Sequence, residues 1–413
     1  MHFAPGAYSR ALHAIIALCV ILMSPILSEP AFGQEMIAGS SIIGDPALSA
    51  AVPGVAMPAG VLRTFDGRTL WERDADAERA MASTTKVMTA LVVLDNAELT
   101  DTVTVSADAA AVGEAEVGLV AGETYTVQQL LEAMLVHSGN DAAFALAEYV
   151  AGDEGAFVAL MNEKATQLGL AHTAYTNPHG LDETGHFTSA ADLATLSTVA
   201  MADPRFAAIV SMPTVDVRAG GASKTFESSN KLLGSYEGAN GIKTGWTNDA
   251  GYCLVASARR GTVGFIAVVL GTTSENDRFE QARALLDWGF AHYAETQVAS
   301  QDATAALVPV SDYLDRTVTA KVAEDAIVPV FDLDGELVTR VDMVSEVDAP
   351  VEAGQRLGTL TVVQGERLLA QVPIVAASDV AAPDVWEAAG IWFTRLWRSM
   401  FGGDRVAPAV PVM

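Results

Sequence analysis

Cysteine is nearly missing from this chain, with two residues, Cys19 and Cys253, among 413. Cys19 falls in a leader segment (below), so a mature chain would keep Cys253 alone. An internal disulfide is thereby excluded, and stability must rest on core packing. Cys253 sits in the strand-like run Tyr252-Cys253-Leu254-Val255 and reads as core filling rather than as a nucleophile. Basic side chains are also scarce: 24 Lys and Arg stand against 51 Asp and Glu, for a formal charge of −27. A nucleic-acid binder needs a basic stripe to displace counterions, so that class is excluded. The same charge repels an anionic membrane unless a local element overrides it. The apolar run Ala11–Ile26 is short and interrupted by Pro25, which argues against a retained membrane span.

The run fits an export signal instead. Arg10 is the only formal side-chain charge before it, and Ala31-Phe32-Gly33 supplies a small-x-small site with cleavage before Gln34. The rest of the chain is long enough for two or three domains and half of it is hydrophobic, so packed cores are expected. Val61–Phe65 and Arg68–Trp71 flank Asp66-Gly67 as a hairpin. Helical periodicity follows over Lys86–Leu94, Thr126–Val136, Asp141–Val150, Gly155–Leu168 and Ala190–Ala200. Two strand-like runs, Tyr252–Ala258 and Thr262–Leu270, precede a last helix over Arg278–Ala294. Strands at both ends of a helical middle predict an α+β layered domain over 57–295, after a signal peptide at 1–33 and a linker at 34–56.

Beyond Thr296 the texture becomes short and β-rich: Leu307–Val310, Thr317–Val322, Ile327–Leu333, Leu337–Val341, Leu357–Val363 and Leu368–Val375. Asp334-Gly335 and Gln364-Gly365 read as hairpin turns, and 300–380 as a small all-β sandwich. The segment 383–402 reads as an amphipathic helix, with a tail at 403–413. On a helical wheel Val385, Trp386, Trp392, Phe393, Leu396, Trp397, Met400 and Phe401 share one half, while Asp384, Glu387, Arg395 and Arg398 share the other. Ile391 is the exception. Half of the six tryptophans lie here, which suits a helix lying in a membrane surface. The competing expectation is a helix docked on the core of the β-domain.

Three short motifs carry chemistry only as an ordered set. Ser83-x-x-Lys86 opens a buried helix, Ser138-x-Asn140 sits between helices, and Lys243-Thr244-Gly245 precedes a strand pair. Singly they are weak, since Ser228-Ser229-Asn230-Lys231 repeats two of the spacings and Ser83 alone reads as a helix cap. Together they describe acyl transfer. Positions i and i+3 share a helix face, so Lys86 can take the Ser83 proton if burial and nearby charge lower its pKa. Lys243 can supply that charge. The Ser83 N–H at a helix start can help hold an oxyanion, and Ser138 can relay a proton to the leaving group. Asn140 would orient Lys86 and the substrate amide; Lys243 and Thr244 would meet an anionic substrate end. His179 and His186, near Asp182, have no standard metal spacing, and no histidine has a Gly-x-Ser-x-Gly partner.

With these residues in order, the sequence resembles the penicillin-binding D-alanyl-D-alanine carboxypeptidases of low molecular mass. The likeness extends through Ala82-Ser83-Thr84-Thr85-Lys86-Val87-Met88-Thr89-Ala90, Ser138-Gly139-Asn140-Asp141-Ala142, Asn177-Pro178-His179-Gly180-Leu181-Asp182, Gly185-His186-Phe187-Thr188-Ser189-Ala190, and Asn230-Lys231-Leu232-Leu233 leading to Gly241-Ile242-Lys243-Thr244-Gly245. The resemblance implies a β-lactamase/transpeptidase-like α/β/α catalytic domain, a β-sandwich and a terminal amphipathic anchor. It implies that Ser83 is acylated, Lys86 is the base, and Ser138 and Asn140 form the second motif. Lys243, Thr244, Gly245, Trp246 and Arg278 would lie on the substrate side, with the Ser83 and Trp246 N–H groups as oxyanion donors and Arg278 on the terminal carboxylate. Met81 departs from the family's frequent proline, and Trp246 occupies a variable position that leaves substrate preference open.

The expected partners are a peptidoglycan stem peptide, β-lactam antibiotics and, through the terminal helix, the outer face of the inner membrane from the periplasm. The reaction needs no metal or organic cofactor. A class A β-lactamase shares the motifs but uses Glu-x-x-Leu-Asn for its water, a pattern no glutamate here begins. A non-catalytic wall-binding scaffold would have no need of the full set.

Overall fold

The computed structural model describes residues 53–402 and the backbone of 410–411. The expected leader with Cys19, most of the 34–56 linker and the rest of the tail lie outside these residues. The described chain divides into two compact units, residues 53–296 with 329–335, and residues 297–328 with 336–402.

The first unit is built on a five-stranded antiparallel sheet. Its strands are β1 (Ala59–Thr64), β2 (Thr69–Arg73), β7 (Ala239–Thr247), β8 (Gly251–Arg260) and β9 (Val263–Thr272), in the order β2-β1-β9-β8-β7. The D-G hairpin forms where the sequence places it, with Leu62 opposite Trp71. Both faces of the central strands are covered, because side chains alternate with period two and are apolar on either side. Cys253 and Val255 face one core with Val87, Leu91, Leu130 and Phe157. Leu254 and Ala256 face another, with Phe279, Leu285 and Leu286. These layers are the expected α/β/α arrangement, and Cys253 is core filling, fully buried.

The helical layer comprises α1 (Lys86–Asn96), α2 (Val127–Glu132), α3 (Asn140–Ala151), α4 (Glu154–Gln167), α5 (Ala190–Ala202) and α6 (Pro204–Val210); α7 (Glu275–His292) covers the opposite face. Three details differ from the sequence reading. The helix expected over Thr126–Val136 is α2 followed by a π turn, Ala133–His137. The last helix starts at Glu275, three residues before Arg278, because the Ser274 hydroxyl accepts the Asp277 N–H and caps it. Two short pairs, β3 (Thr102–Thr104) with β4 (Thr124–Thr126) and β5 (Thr214–Ala219) with β6 (Ala222–Glu227), were not anticipated.

The second unit is a β-sandwich whose main sheet has the order β14-β15-β16-β12-β11-β17. Its strands are β11 (Thr304–Pro309), β12 (Thr317–Val322), β14 (Leu337–Met343), β15 (Arg356–Gln364), β16 (Arg367–Ala376) and β17 (Val410–Pro411). Two further strands, β10 (Tyr293–Ala299) and β13 (Ala326–Phe331), pair with each other. Gln364-Gly365 is the hairpin turn expected. Asp334-Gly335 is not, since β13 and β14 belong to different sheets and a 3₁₀ turn, Asp332–Asp334, links them.

Helix α8 (Val385–Phe401) begins with a capping box in which Asp384 accepts the Trp386 and Glu387 N–H groups at 2.9 and 2.8 Å. Ile391, the misfit of the helical wheel, packs against the apolar core of this unit. One turn on, Arg395 donates to the carbonyls of Ser311 and, at 3.0 Å, Tyr313. The helix therefore docks by its polar half, as Ile391 and Arg395 lie one above the other at i and i+4. Its aromatic half faces outward, with Trp386 86% exposed and Trp392 66%.

Candidate active site

Ser83 lies in a 3₁₀ turn, Ala82–Thr85, that runs directly into α1. In this geometry residues i and i+3 eclipse, which brings Lys86 over Ser83 more closely than the expected α-turn. The Lys86 Nζ–Ser83 Oγ distance is 2.9 Å. The turn is tied by its own side chains: Thr84 Oγ1 donates to Met81 O at 2.6 Å and Thr85 Oγ1 to Ala82 O at 2.8 Å. Ala82 adopts φ +49°, the left-handed region that costs a non-glycine residue about 1 kcal/mol or more.

Lys86 is fully buried, and its Nζ meets two carbonyl oxygens besides Ser83: Asn140 Oδ1 at 2.7 Å and His179 O at 2.7 Å. Burial lowers its pKa well below the ordinary lysine value; the Lys243 charge lowers it further and Asp141 opposes both. A neutral amine has two N–H donors and one lone pair. The two carbonyls take the donors, and the lone pair is left for the Ser83 hydroxyl proton, which is the state a general base requires.

The second motif follows the π turn, which delivers Ser138 at φ +81° and starts α3 at Asn140. Asn140 is held from its other end, Nδ2 donating to Gly113 O at 3.0 Å. Its neighbour Asp141 is 1% exposed. The Asp141 carboxylate accepts N–H groups from Val117 (3.1 Å), Gly118 (2.9 Å), Leu119 (3.0 Å) and Ala142 (2.9 Å). It pins residues 117–119 beside the site and places an anion near the buried Lys86. No hydrogen bond joins Ser138 Oγ to either lysine among the described residues.

The third motif lies on β7, the sheet edge. Lys243 is buried, its Nζ donating to Thr244 O at 3.0 Å. Burial, then the Arg278 charge, pulls its pKa to about 7. Gly245 fits against the nucleophile turn so closely that a Cβ there would lie 3.1 Å from Ser83 N and 3.0 Å from Met81 O. A side chain there would crowd the nucleophile turn, so the glycine lets the strand lie close against Ser83. Arg278 Nη1 donates to Gly245 O at 3.1 Å, and Trp246, half-exposed, stacks at a tilt on Tyr252 with centroids 5.8 Å apart.

Sequence reasoning gave the supports no role. Ser229 and Asn230, from the stretch that mimics two motifs, brace β7 instead: Ser229 Oγ meets Thr244 Oγ1 at 2.6 Å and Asn230 Nδ2 donates to Gly241 O at 2.8 Å. The 177–186 loop enters the sequence reading by its likeness and by His179 and His186 as weak metal candidates. Its Gly180, at φ +91°, has no room for a Cβ, which would meet Ala82 O at 2.0 Å. That loop contributes the His179 carbonyl to Lys86, a backbone group with no signature in the side-chain pattern. His179 and His186 both act as hydrogen-bonding groups in this loop.

Comparison with known proteins agrees with this geometry. Residues 57–274 match the family described as D-alanyl-D-alanine carboxypeptidase, and residues 293–382 match the C-terminal domain of penicillin-binding protein 5. The chain is 32% identical to the D-alanyl-D-alanine carboxypeptidase DacF of Bacillus subtilis (strain 168) over 79% of its length and 86% of the relative's. It is 33% identical to DacC of Escherichia coli (strain K12), covering 84% and 88%. The crystal structure of the D-alanyl-D-alanine carboxypeptidase DacD from Francisella tularensis superposes with a TM-score of 0.60 at 26% identity, covering 82% of this chain and 99% of that one. On the ordered motifs, the edge strand closed on the nucleophile turn and these matches, the chain belongs to the D-alanyl-D-alanine carboxypeptidase family of low-molecular-mass penicillin-binding proteins.

Proposed function

We propose that this protein is a serine carboxypeptidase that removes the terminal D-alanine from peptidoglycan stem peptides, and that β-lactams acylate the same serine. The observation that carries the reading is the Lys86 amine, 2.9 Å from Ser83 Oγ with both other directions occupied by carbonyl oxygens. Ser83 Oγ attacks the D-Ala–D-Ala carbonyl while its proton passes to Lys86 Nζ. The oxyanion forms at the Ser83 and Trp246 N–H groups, beside Gly245. Ser138 gives its hydroxyl proton to the departing D-alanine nitrogen and regains one from protonated Lys86 as the C–N bond breaks; water then hydrolyses the Ser83 ester, its proton passing to neutral Lys86 and from there to Ser83 Oγ. Lys243, Thr244 and Arg278 receive the substrate's terminal carboxylate. D-alanine release from a soluble peptide ending in D-Ala-D-Ala tests this, with Ser83→Ala as the control. Release must vanish in the variant; release that persists, or none from folded wild type, overturns the reading.

The same proposal places the protein outside the cytoplasm, exported by the 1–33 leader and held at the outer face of the inner membrane by α8. Support comes from the outward aromatic half of α8 with Arg395 and Arg398 on its other half. No single described helix is long and apolar enough to cross a membrane, so attachment would be peripheral. Deleting 383–413 should release the protein from membranes with soluble-substrate activity intact. Unchanged partitioning would end the assignment.

A further inference from the structure

His186 lies outside the three motifs, buried on the loop that follows Gly180. Its ring is engaged on both sides. The Thr176 N–H donates to Nδ1 at 3.1 Å, so Nδ1 is an acceptor and the ring proton sits on Nε2. Nε2 lies 2.7 Å from Thr85 Oγ1 and donates to it, and the Thr85 hydroxyl donates in turn to Ala82 O at 2.8 Å. The relay ends on the residue in the left-handed conformation, immediately before the nucleophile, and passes through the residue immediately before the base. A joint of this kind persists only where its surroundings over-determine it. Gly180 closes on the same carbonyl from the same loop.

We infer that His186 is a positioning residue: through Thr85 it locks the Ala82 carbonyl and so fixes the spacing of Ser83 Oγ and Lys86 Nζ for acylation. The inference rests on Ser83 being the nucleophile. The groups around the ring agree with a neutral imidazole. Burial dominates and brings its pKa down to about 4, with Glu183 and Asp182 opposing and Lys86 assisting; Tyr175 stands edge-on at 5.8 Å between centroids. A neutral ring with one acceptor and one donor is what the two partners demand.

The test is single-turnover acylation of the mature protein by a chromogenic β-lactam, resolved into binding and chemical steps. His186→Ala should slow the chemical step about 10- to 100-fold with apparent affinity within about twofold, because misplacing reacting atoms costs rate rather than binding. His186→Gln, whose amide can both accept and donate, should recover most of that loss. Thr85→Val should match His186→Ala, and the double variant should add little, as expected of two links in one chain. Full-rate acylation in folded His186→Ala, losses that add in full, or a loss confined to affinity would overturn the inference. Should His186→Ala fail to fold, His186→Leu, which fills the ring's space without a donor, replaces it: a slowed chemical step supports the relay and wild-type speed removes it. Wild type that is never acylated on Ser83 would instead overturn the functional reading on which the inference stands.

Discussion

The two units depart from the rule of apolar inside and polar outside in opposite directions. Of the buried polar residues among those described, only Thr339 and Gln364 belong to the second unit. The first buries Lys86, Asn140, Asp141, Lys243 and Arg278, groups that cost free energy to desolvate and are tolerated only when partnered. The second carries its anomaly outside, as a row of exposed aromatic side chains on α8. Chemistry in low dielectric explains the first departure, and the proposed membrane attachment would account for the second. Neither departure improves the stability of its own unit. Each points at a task.

The comparison can be broken at either end. The largest effect should come from Lys86→Ala, which removes the base and leaves two carbonyls without a donor; D-alanine release should fall about 1,000-fold or more, measured as kcat/KM. Asp141→Asn comes next. The amide cannot accept all the N–H groups that converge on the carboxylate, and buried Lys86 loses its nearby anion. Stability should drop by about 3 kcal/mol in urea denaturation. The acid limb of the activity profile should move to lower pH as well, because Asp141 raises the Lys86 pKa.

Lys243 sharpens the comparison through pH. Its pKa in the fold is depressed from 10.5 to about 7. A depressed folded value means the unfolded chain holds the proton more tightly. The Lys243 contribution to stability is therefore complete above about 10.5 and is lost as pH falls through about 7. Binding of a substrate carboxylate runs the other way, since it needs the ammonium. kcat/KM should fall about tenfold per pH unit above about 7, and Lys243→Arg should remove that limb. The smallest effect on folding belongs to α8. Trp386→Glu with Trp392→Glu should change stability by less than about 0.5 kcal/mol, both rings being largely exposed, while lowering retention on anionic lipid vesicles.

Much of this was legible in the sequence, and the part that was not has a common cause. The order Ser83–Lys86, Ser138–Asn140, Lys243–Gly245 specified the site, and the Asp66-Gly67 hairpin with the apolar runs Tyr252–Ala258 and Thr262–Leu270 specified the sheet. Side chains announce themselves in this way; backbone groups do not. The His179 carbonyl on Lys86, the left-handed Ala82 and the N–H groups gathered on Asp141 depend on how distant loops close, which no local pattern records. The decoy spacing at 228–231 shows the converse, as Ser229 and Asn230 have the right types and brace a strand instead. In the β5–β6 hairpin β5 alternates, with Val215 and Val217 buried, but β6 is polar and exposed apart from Phe226 and offers no matching apolar pattern. Ile391 looked like an error on the wheel because the wheel assumed one apolar partner, and α8 has two sides to satisfy.

That second side bears on timing. Most amphipathic segments are coils in water and fold as they reach an interface, so part of their affinity is consumed in ordering the backbone. In α8 the Asp384 cap, Ile391 and the Arg395 bonds to the Ser311 and Tyr313 carbonyls keep the helix formed beforehand. Under the proposed attachment, the membrane surface would meet a finished helix held on its own β-unit. Attachment and release should therefore proceed without a folding step, and far-ultraviolet circular dichroism should not change on capture.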